Sequence, residues 1–407
     1  MNEKLKIWAD RNLKGDPIIW AIIIAFSLFS ILVVYSAIGS LAYSKTGGDT
    51  EHFLFKHSLL IGLSLTLTWM SHKVNYKLYW GISKIALWMS PLILVYGYFF
   101  GKNLNEASRW ITIPLINQSF QPSDFAKLAL IISLARMLAQ RQSQIDKALT
   151  IESVDQIMKK SLWPAILWCS GICGLIALSN FSTAVMLFMT CLLLMYIGRV
   201  PLKQLGLLCL VGGVAGLFGL ALGQRLGTVT RRIMAFFVEK DIPFQAEQGF
   251  IAIWRGGFFG MGPGNGIQKD FLPHPYSDFI YATILEEWGM LFGVIVILLY
   301  LALLYRGMKT VVNSERAFGG LLSAGLCFSI VIQAMINMGV AVGLGPITGQ
   351  PLPLLSMGGT SLLFTGISLG IILSVSRGDI SEEDGMAESE EEEDDSAGDY
   401  EKEDGEE

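Results

Sequence analysis

Ten apolar runs of about 18 to 27 residues fill most of this 407-residue chain, and they decide what it can fold into. A helix needs about 20 apolar residues to cross the hydrocarbon core of a bilayer, and recurring runs of that length mark membrane helices. The expected spans are 17–41, 54–72, 78–99, 122–140, 161–178, 180–198, 203–222, 279–305, 316–341 and 354–376. Composition agrees, with 52% hydrophobic residues, 16% charged residues and a mean hydropathy of +0.50. The expected fold is an all-α polytopic membrane protein of about ten transmembrane helices, and a soluble globular class is excluded.

An even number of spans puts both ends of the chain on one side. Basic residues choose the side, because cytoplasmic loops of membrane proteins are enriched in Lys and Arg. Lys4, Lys6, Arg11 and Lys14 precede the first span, Lys73 and Lys77 follow the second, and Arg141, Lys147, Lys159 and Lys160 follow the fourth. Arg199 and Lys203 follow the sixth, and Arg306, Lys309 and Arg316 the eighth, whereas the opposite short loops carry Lys45, Lys56, Lys102 and Arg109. Both termini are therefore expected in the cytoplasm, and the long segment between spans 7 and 8, about 223–278, is expected to face outward. Three regions result: a basic N-terminus (1–16), a membrane domain (17–377) and an acidic tail (378–407). From Asp379 onward the tail holds 17 of the 35 acidic residues and one of the 30 basic ones, leaving 29 basic against 18 acidic residues before it. The tail is low-complexity acid and expected to be disordered. The basic body suits anionic lipid or pyrophosphate, and no nucleic-acid partner is expected. The first apolar run is too long for a signal-peptide core and reads as a retained span. All five cysteines fall inside apolar spans, where they suit helix contacts rather than a disulfide framework or metal site.

Four stretches on the expected outer side carry polar groups that an apolar bundle does not need. In the first, 103–127, Pro122 suits the first turn of a helix and Asp124 its positive end. Lys127 lies about a turn and a half into the fourth span, where a cation needs a partner or an anionic ligand; Asp124, at i−3, is the internal candidate. Arg109, beside Trp110, either snorkels from the loop or binds phosphate through its fork of donors. In the second, Thr228–Lys240 reads as a short amphipathic helix on an interface, with Arg231 and Arg232 beside Ile233, Phe236 and Phe237. Six glycines between Gly256 and Gly266 follow, suited to close backbone approach, and then His274, a turn residue between two prolines. The third comprises Asp278, Glu286 and Glu287. Counted at 100° per residue, Glu286 shares a helix side with Asp278 while Glu287 points away. Either Asp278 caps a helix and the glutamates bind neighbouring arginines, or these carboxylates serve a site. The fourth, 343–361 (GLGPITGQPLPLLSMGGTS), is non-helical backbone at membrane level, tolerated only where protein or a water-filled cavity shelters it.

Taken together and in order, ASRWI with FQPSDFAK, RRIMAFF…QGFIAI…GGFFGMGPGNG, PHPYSDFIYATILEEWG and ITGQPLPLLSMGGTS resemble the SEDS family (shape, elongation, division, sporulation), the peptidoglycan polymerases FtsW and RodA. The resemblance covers roughly residues 15 to 377. Three positions depart from the family pattern: Asp124 stands where Glu is usual, Met357 where Tyr is commoner, and Asn180 where an Asp is frequent. The wording TGQPLPLLSMGGTS is closer to the division member FtsW than to the elongation member RodA.

What the resemblance implies is a glycosyltransferase that polymerises lipid II at the outer face of the bacterial cytoplasmic membrane, at the division septum. Its implied partners are a class B penicillin-binding protein and other division-complex proteins. The family's essential acidic residue in the long outer loop falls on Asp278, the expected catalytic base. Arg109, Lys127 and Gln121 are expected to bind substrate or its pyrophosphate. Asp124, Glu286, Glu287, Ser356, Gly358 and Gly359 are expected to line or support the cavity. No cofactor is demanded; a divalent cation (Mg2+ or Mn2+) on Asp124 or Glu286 is compatible with the residue types. The alternatives are a RodA-type elongation polymerase, a lipid II flippase and a non-enzymatic scaffold.

Overall fold

The fold is seen in a computed structural model that describes residues 12–39, 41, 49–104, 107–113, 118–146, 151–223, 226–239, 242–314 and 316–378, without the side chains of 102–104, 107–110, 112–113, 118–119, 145–146, 151–161, 238–239 and 313. The basic lead-in to Arg11 and the acidic tail from Asp379 lie outside the described residues.

Ten helices coincide with the ten apolar runs. They are α1 (Pro17–Ala37), α2 (Thr50–Lys73), α3 (Tyr76–Phe100), α4 (Pro122–Asp146), α5 (Ile151–Ala177), α6 (Phe181–Ile197), α7 (Leu202–Leu222), α10 (Ile280–Asn313), α11 (Ala317–Ala341) and α12 (Thr360–Gly378). Seven are long and apolar enough to cross a membrane, and two shorter apolar stretches, Leu162–Ala177 of α5 and all of α6, accompany them. The remaining helix, α4, is 25 residues long and carries Asp124, Lys127, Arg136 and Arg141. Between α7 and α10 lie α8 (Leu226–Met234), which runs into a π-helical turn (Ala235–Glu239), and α9 (Phe244–Gly256). No residue of α8 is buried, as befits a helix that rests on a surface.

Local chemistry sets the ends. Asp16 caps α1, its Oδ1 accepting from the Ile18 and Ile19 amides at 2.9 and 3.4 Å, with Pro17 in the first turn. Its other oxygen pairs with Arg306 Nε at 2.6 Å and so ties the start of α1 to the far part of α10. The architecture is helical as expected, with one short departure. Between α3 and α4, β1 (Lys102–Leu104), β2 (Ala107–Ile113) and β3 (Gln118–Phe120) form a three-stranded antiparallel sheet, with Lys102 opposite Trp110 and Thr112 opposite Ser119. Trp110, Ile111, Thr112 and Ile113 are aromatic or β-branched, and that local preference decides a segment too short to be a span. The last helix also starts later than expected. Leu354 and Gly359 have φ of 64° and 57°, so no helix can run through 354–359.

In the centre stands α11, 78% of whose apolar window is buried, against 17% for α7 at the periphery. It packs on α10, α4 and α6. Small residues bring other helices close: Ser64 Oγ and Thr68 Oγ1 of α2 donate to the carbonyls of Leu362 and Gly366 at 2.8 and 3.0 Å. A Cβ on Gly370 of α12 would lie 2.4 Å from the Thr68 carbonyl. Contacts of this kind are what joins helices where lipid removes the hydrophobic drive.

Candidate active site

The site is framed by a broken helix. At Gly289 (φ 79°, ψ 174°) the backbone of α10 leaves helical geometry, which frees carbonyls before the break and amides after it. The loop after α9 satisfies them reciprocally. Met261 N donates to the Glu286 carbonyl and Gly262 N to that of Glu287, both at 2.9 Å; Met290 N and Leu291 N donate to the carbonyls of Gly257 and Phe258 at 3.0 and 3.2 Å. This contact explains the glycine run. A Cβ on Gly256 would sit 1.9 Å from the Leu285 carbonyl oxygen, and one on Gly260 would sit 2.3 Å from that of Glu287.

Both glutamates turn onto the same loop. Glu286 Oε1 accepts from the amides of Ile267 and Gln268 at 2.9 and 3.0 Å. Glu287 Oε1 accepts from Gly266 N at 3.3 Å, Lys269 Nζ at 3.1 Å and Ser36 Oγ. With exposures of 0% and 1%, they hold the loop and do not face open space. The expected division of sides, Glu286 with Asp278 and Glu287 away, is corrected. Helix α10 begins at Ile280, so a helical count from Asp278 does not apply, and the loop folds over the break to meet both carboxylates.

The segment 343–359 is sheltered by side chains from several helices. The carbonyl of Gln350 accepts from Asn337 Nδ2 at 2.7 Å, and that of Pro351 from Gln333 Nε2 at 2.9 Å. The Pro353 carbonyl accepts from Tyr300, and the Leu355 carbonyl from Ser30 Oγ at 2.9 Å. Ser356 Oγ accepts from Leu352 N and donates to the Ser277 carbonyl, both at 2.7 Å, while Met357 N donates to the Tyr276 carbonyl at 2.9 Å. Irregular backbone inside a membrane protein survives only with such partners. Of the expected lining residues, Ser356 thus staples this turn to the segment before Asp278, and Gly358 packs on Pro351 while Gly359 (φ 57°) precedes α12. Gln121 joins the same region: its amide donates to Thr360 Oγ1 at 3.4 Å and its side chain to Ser123 Oγ at 2.8 Å.

Asp278 is half-buried and lies before α10, whose N-cap position is Phe279 with no side-chain capping bond. It is therefore not the cap of that helix. Ser277 Oγ donates to its Oδ1 at 3.0 Å, and Asn337 Nδ2 donates to its main-chain carbonyl at 2.9 Å. A Cβ on Gly349 would lie 3.4 Å from Oδ2, so the 343–359 segment passes close over the carboxylate. The neighbouring Tyr276 phenol is pushed above its ordinary pKa, first by burial and then by the charge of Asp278, and it stays neutral at physiological pH. His274 (φ 58°) is a turn residue whose Nδ1 lies 3.0 Å from the Tyr276 hydroxyl.

Lys127 is 20% exposed and donates to Gln333 Oε1 at 3.0 Å, with Asp124 Oδ1 farther away at 3.9 Å. Gln333 and Asn337, one turn apart on α11, therefore hold Lys127, the main chain at Asp278 and the 343–359 turn in one frame. Neither was singled out from the sequence; two amides at i and i+4 in an otherwise apolar span are the signal that marks them. Gln333→Leu should orphan the Pro351 carbonyl and cost about 1–3 kcal/mol, read as a lower unfolding midpoint in detergent. Gln333→Glu, which keeps an acceptor for Lys127 and loses the donor, should show the same loss. Arg109 falls on β2, and its side chain lies outside the described ones.

Free space is unevenly shared. The crevice between Lys127, Asp124 and Gln333 holds about 10 Å³, enough for one water. A cavity of about 610 Å³ lies beside the 343–347 end of the turn, walled by Arg231, Arg232, Phe236, Phe250, Val340 and Ile347. Arg232 Nη1 donates to the Ile347 carbonyl at 3.1 Å, which brings a cation to its rim. Asp278 does not line this cavity; it lies farther along the same segment, at Gly349.

Residues 16–380 match the family of FtsW, RodA and SpoVE, described as cell cycle proteins. The chain belongs to that family. A probable peptidoglycan glycosyltransferase FtsW of Coxiella burnetii is 31% identical over 88% of this chain and 95% of its own. The stage V sporulation protein E of Bacillus subtilis is also 31% identical, over 89% and 98%. Among solved structures, a chain of a peptidoglycan synthase complex superposes with a TM-score of 0.66 at 23% identity, covering 90% of this chain and 98% of that one. The shared fold and the apolar helices make this FtsW/RodA/SpoVE member a multi-pass membrane protein.

The donors expected for a divalent cation do not build a site for one. Glu286 Oε1 is engaged by two backbone amides, Asp124 faces an ammonium, and among the described residues no three His, Cys, Asp or Glu side chains converge. The departure at Asn180 is structural: it caps α6 through Thr183 N at 3.4 Å, and Thr183 Oγ1 accepts from Gln350 Nε2 at 3.0 Å. The turn is thus supported from the α6 side by the Thr183 hydroxyl.

Proposed function

We propose that this FtsW/RodA/SpoVE member is a peptidoglycan glycosyltransferase that polymerises lipid II into glycan strands. The names of its relatives support the activity. The observation that carries the mechanism is that Gln333 and Asn337 of one buried helix tie the cation Lys127 and the main chain at Asp278 to a single turn. In this proposal all ten helices cross the membrane with both termini in the cytoplasm, and α8, α9 and the glycine loop lie on the outer face.

An acceptor sugar hydroxyl attacks the anomeric carbon of the lipid-pyrophosphate donor. The new glycosidic C–O bond forms as the bond to pyrophosphate breaks, with inversion at that carbon. The hydroxyl proton passes to the Asp278 carboxylate, and the lipid pyrophosphate departs with the electron pair. Its charge is met by Lys127 and Arg109, and the roomier cavity at Arg231 and Arg232 takes a lipid-linked headgroup. The apolar walls at Phe236 and Phe250 suit the start of its isoprenoid chain. Lys127→Met should lower polymerisation about 10- to 100-fold, the worth of a hydrogen bond to a charged group, with the protein still folded. Unchanged activity on labelled lipid II would demote Lys127 to a structural partner of Gln333.

A class B penicillin-binding protein is the proposed partner, in keeping with the coordination of polymerization and crosslinking for which the similar complex is described. Septal wall synthesis is the proposed process, supported by the FtsW names and by the TGQPLPLLSMGGTS wording. Depletion in the native host should give filaments if the chain divides cells. Round cells would assign it to elongation, and a defect confined to spores would assign it to sporulation.

A further inference from the structure

We infer that the end of the membrane domain away from Asp278 carries an anion-binding cavity whose occupant is the chain's own acidic tail. Arg316, at the start of α11, lies 21 residues before Asn337, about 30 Å along the helix at 1.5 Å per residue. Here a cavity of about 500 Å³ is lined by Arg141, Arg199 and Arg316 together with Gln142, Ser314 and Gly320. Among the described residues, its charged lining residues are those three arginines. Arg141, buried at the end of α4, donates through Nη2 to the Arg199 carbonyl at 3.2 Å, and Gln142 Nε2 reaches the Gly198 carbonyl at 3.5 Å. The end of α4 is thereby pinned to the turn between α6 and α7, and Arg199 (φ 57°) sits at the crest of that turn. Arg199 and Arg316, both exposed, bring two guanidinium groups to this space and favour an anion rich in carboxylate or phosphate oxygens.

The position and charge of the tail select it as that anion. A Cβ on Gly378, the last residue of α12, would lie 2.9 Å from Tyr76 Cε1, and a Cβ on Gly319 would lie 3.1 Å from Cε2 of the same ring. Helix α12 therefore ends against Tyr76, across that ring from Gly319, the neighbour of the cavity's Gly320. Four extended residues span up to about 14 Å, more than the about 10 Å width of a helix, so the acidic run beginning at Glu382 can reach the arginines. Seventeen carboxylates against one lysine make the charge complementary. Tethering holds the tail near about millimolar effective concentration, an advantage that a diffusing lipid headgroup lacks.

The test uses the full-length protein in lipid nanodiscs, with the photoreactive amino acid p-benzoylphenylalanine at Ser314 and adducts mapped by mass spectrometry. Adducts within 379–407 are expected. They should fall at least fivefold when Glu390, Glu391, Glu392 and Glu393 are all replaced by Gln, a change that leaves the membrane domain untouched. The pair Arg199→Glu and Arg316→Glu should have the same effect. Adducts on phospholipid would assign the cavity to a headgroup and overturn the tail as occupant. Tail adducts that persist at full yield in both variants would reduce the contact to mere proximity.

Discussion

Asp278→Ala should lower glycan polymerisation by about 10²–10⁴-fold, the contribution of a positioned general base, and leave the protein folded. The main chain at this position is held from outside: Asn337 bonds the Asp278 carbonyl and Ser356 that of Ser277, and neither contact uses the carboxylate. The carboxylate receives Ser277 Oγ and lies half-buried under the Gly349 segment. Asp278→Asn is the sharper variant. An amide preserves shape and hydrogen bonding and would serve as well in a cap or turn, but it cannot take a proton. Loss of polymerisation in Asp278→Asn with an unchanged unfolding midpoint assigns the base; full activity in that variant would make Asp278 a structural residue.

The largest effect on stability is expected at Gly256. A methyl there would lie 1.9 Å from the Leu285 carbonyl oxygen and 2.7 Å from its carbon, both backbone atoms of a buried helix. No rotamer change relieves such an overlap. Either α9 moves away from α10 or the four hydrogen bonds across the helix break open. Ordinary overpacking costs about 1–3 kcal/mol, and a backbone collision that also orphans buried carbonyls and amides should exceed that, so Gly256→Ala should fail to accumulate as a monodisperse protein. Gly62 of α2 is the control: a Cβ there meets nothing within 4 Å, and Gly62→Ala should be neutral or slightly stabilising. A Gly256→Ala protein that melts like the wild type would mean that the glycine loop does not close on the break.

Much of this was legible because membrane helices announce themselves by length and apolarity. The ten runs predicted ten helices, and Pro351, Pro353 and Gly358–Gly359 marked the irregular turn. What escaped was decided by contacts distant in sequence. Gln333 and Asn337 look like stray amides in SIVIQAMINMG until Lys127 and the Asp278 carbonyl arrive from other helices. That Glu286 and Glu287 hold a loop is not legible in the sequence, because periodicity does not reveal that a loop has bonded to a helix break. The strands at 102–120 were hidden by their shortness, where β-branched preference outweighs any span signal. By sequence Arg231 and Arg232 suit an interface, and only the tertiary fold places a cavity beside them.

Reconstitution of the full chain with a class B transpeptidase and fluorescent lipid II tests the central claim most directly, with strand length read on a gel and lipid translocation read in vesicles. Wild type should convert lipid II into long strands, and Asp278→Asn should leave it as monomer. Translocation of lipid II by wild type with no lengthening would contradict a polymerase and make the protein a flippase.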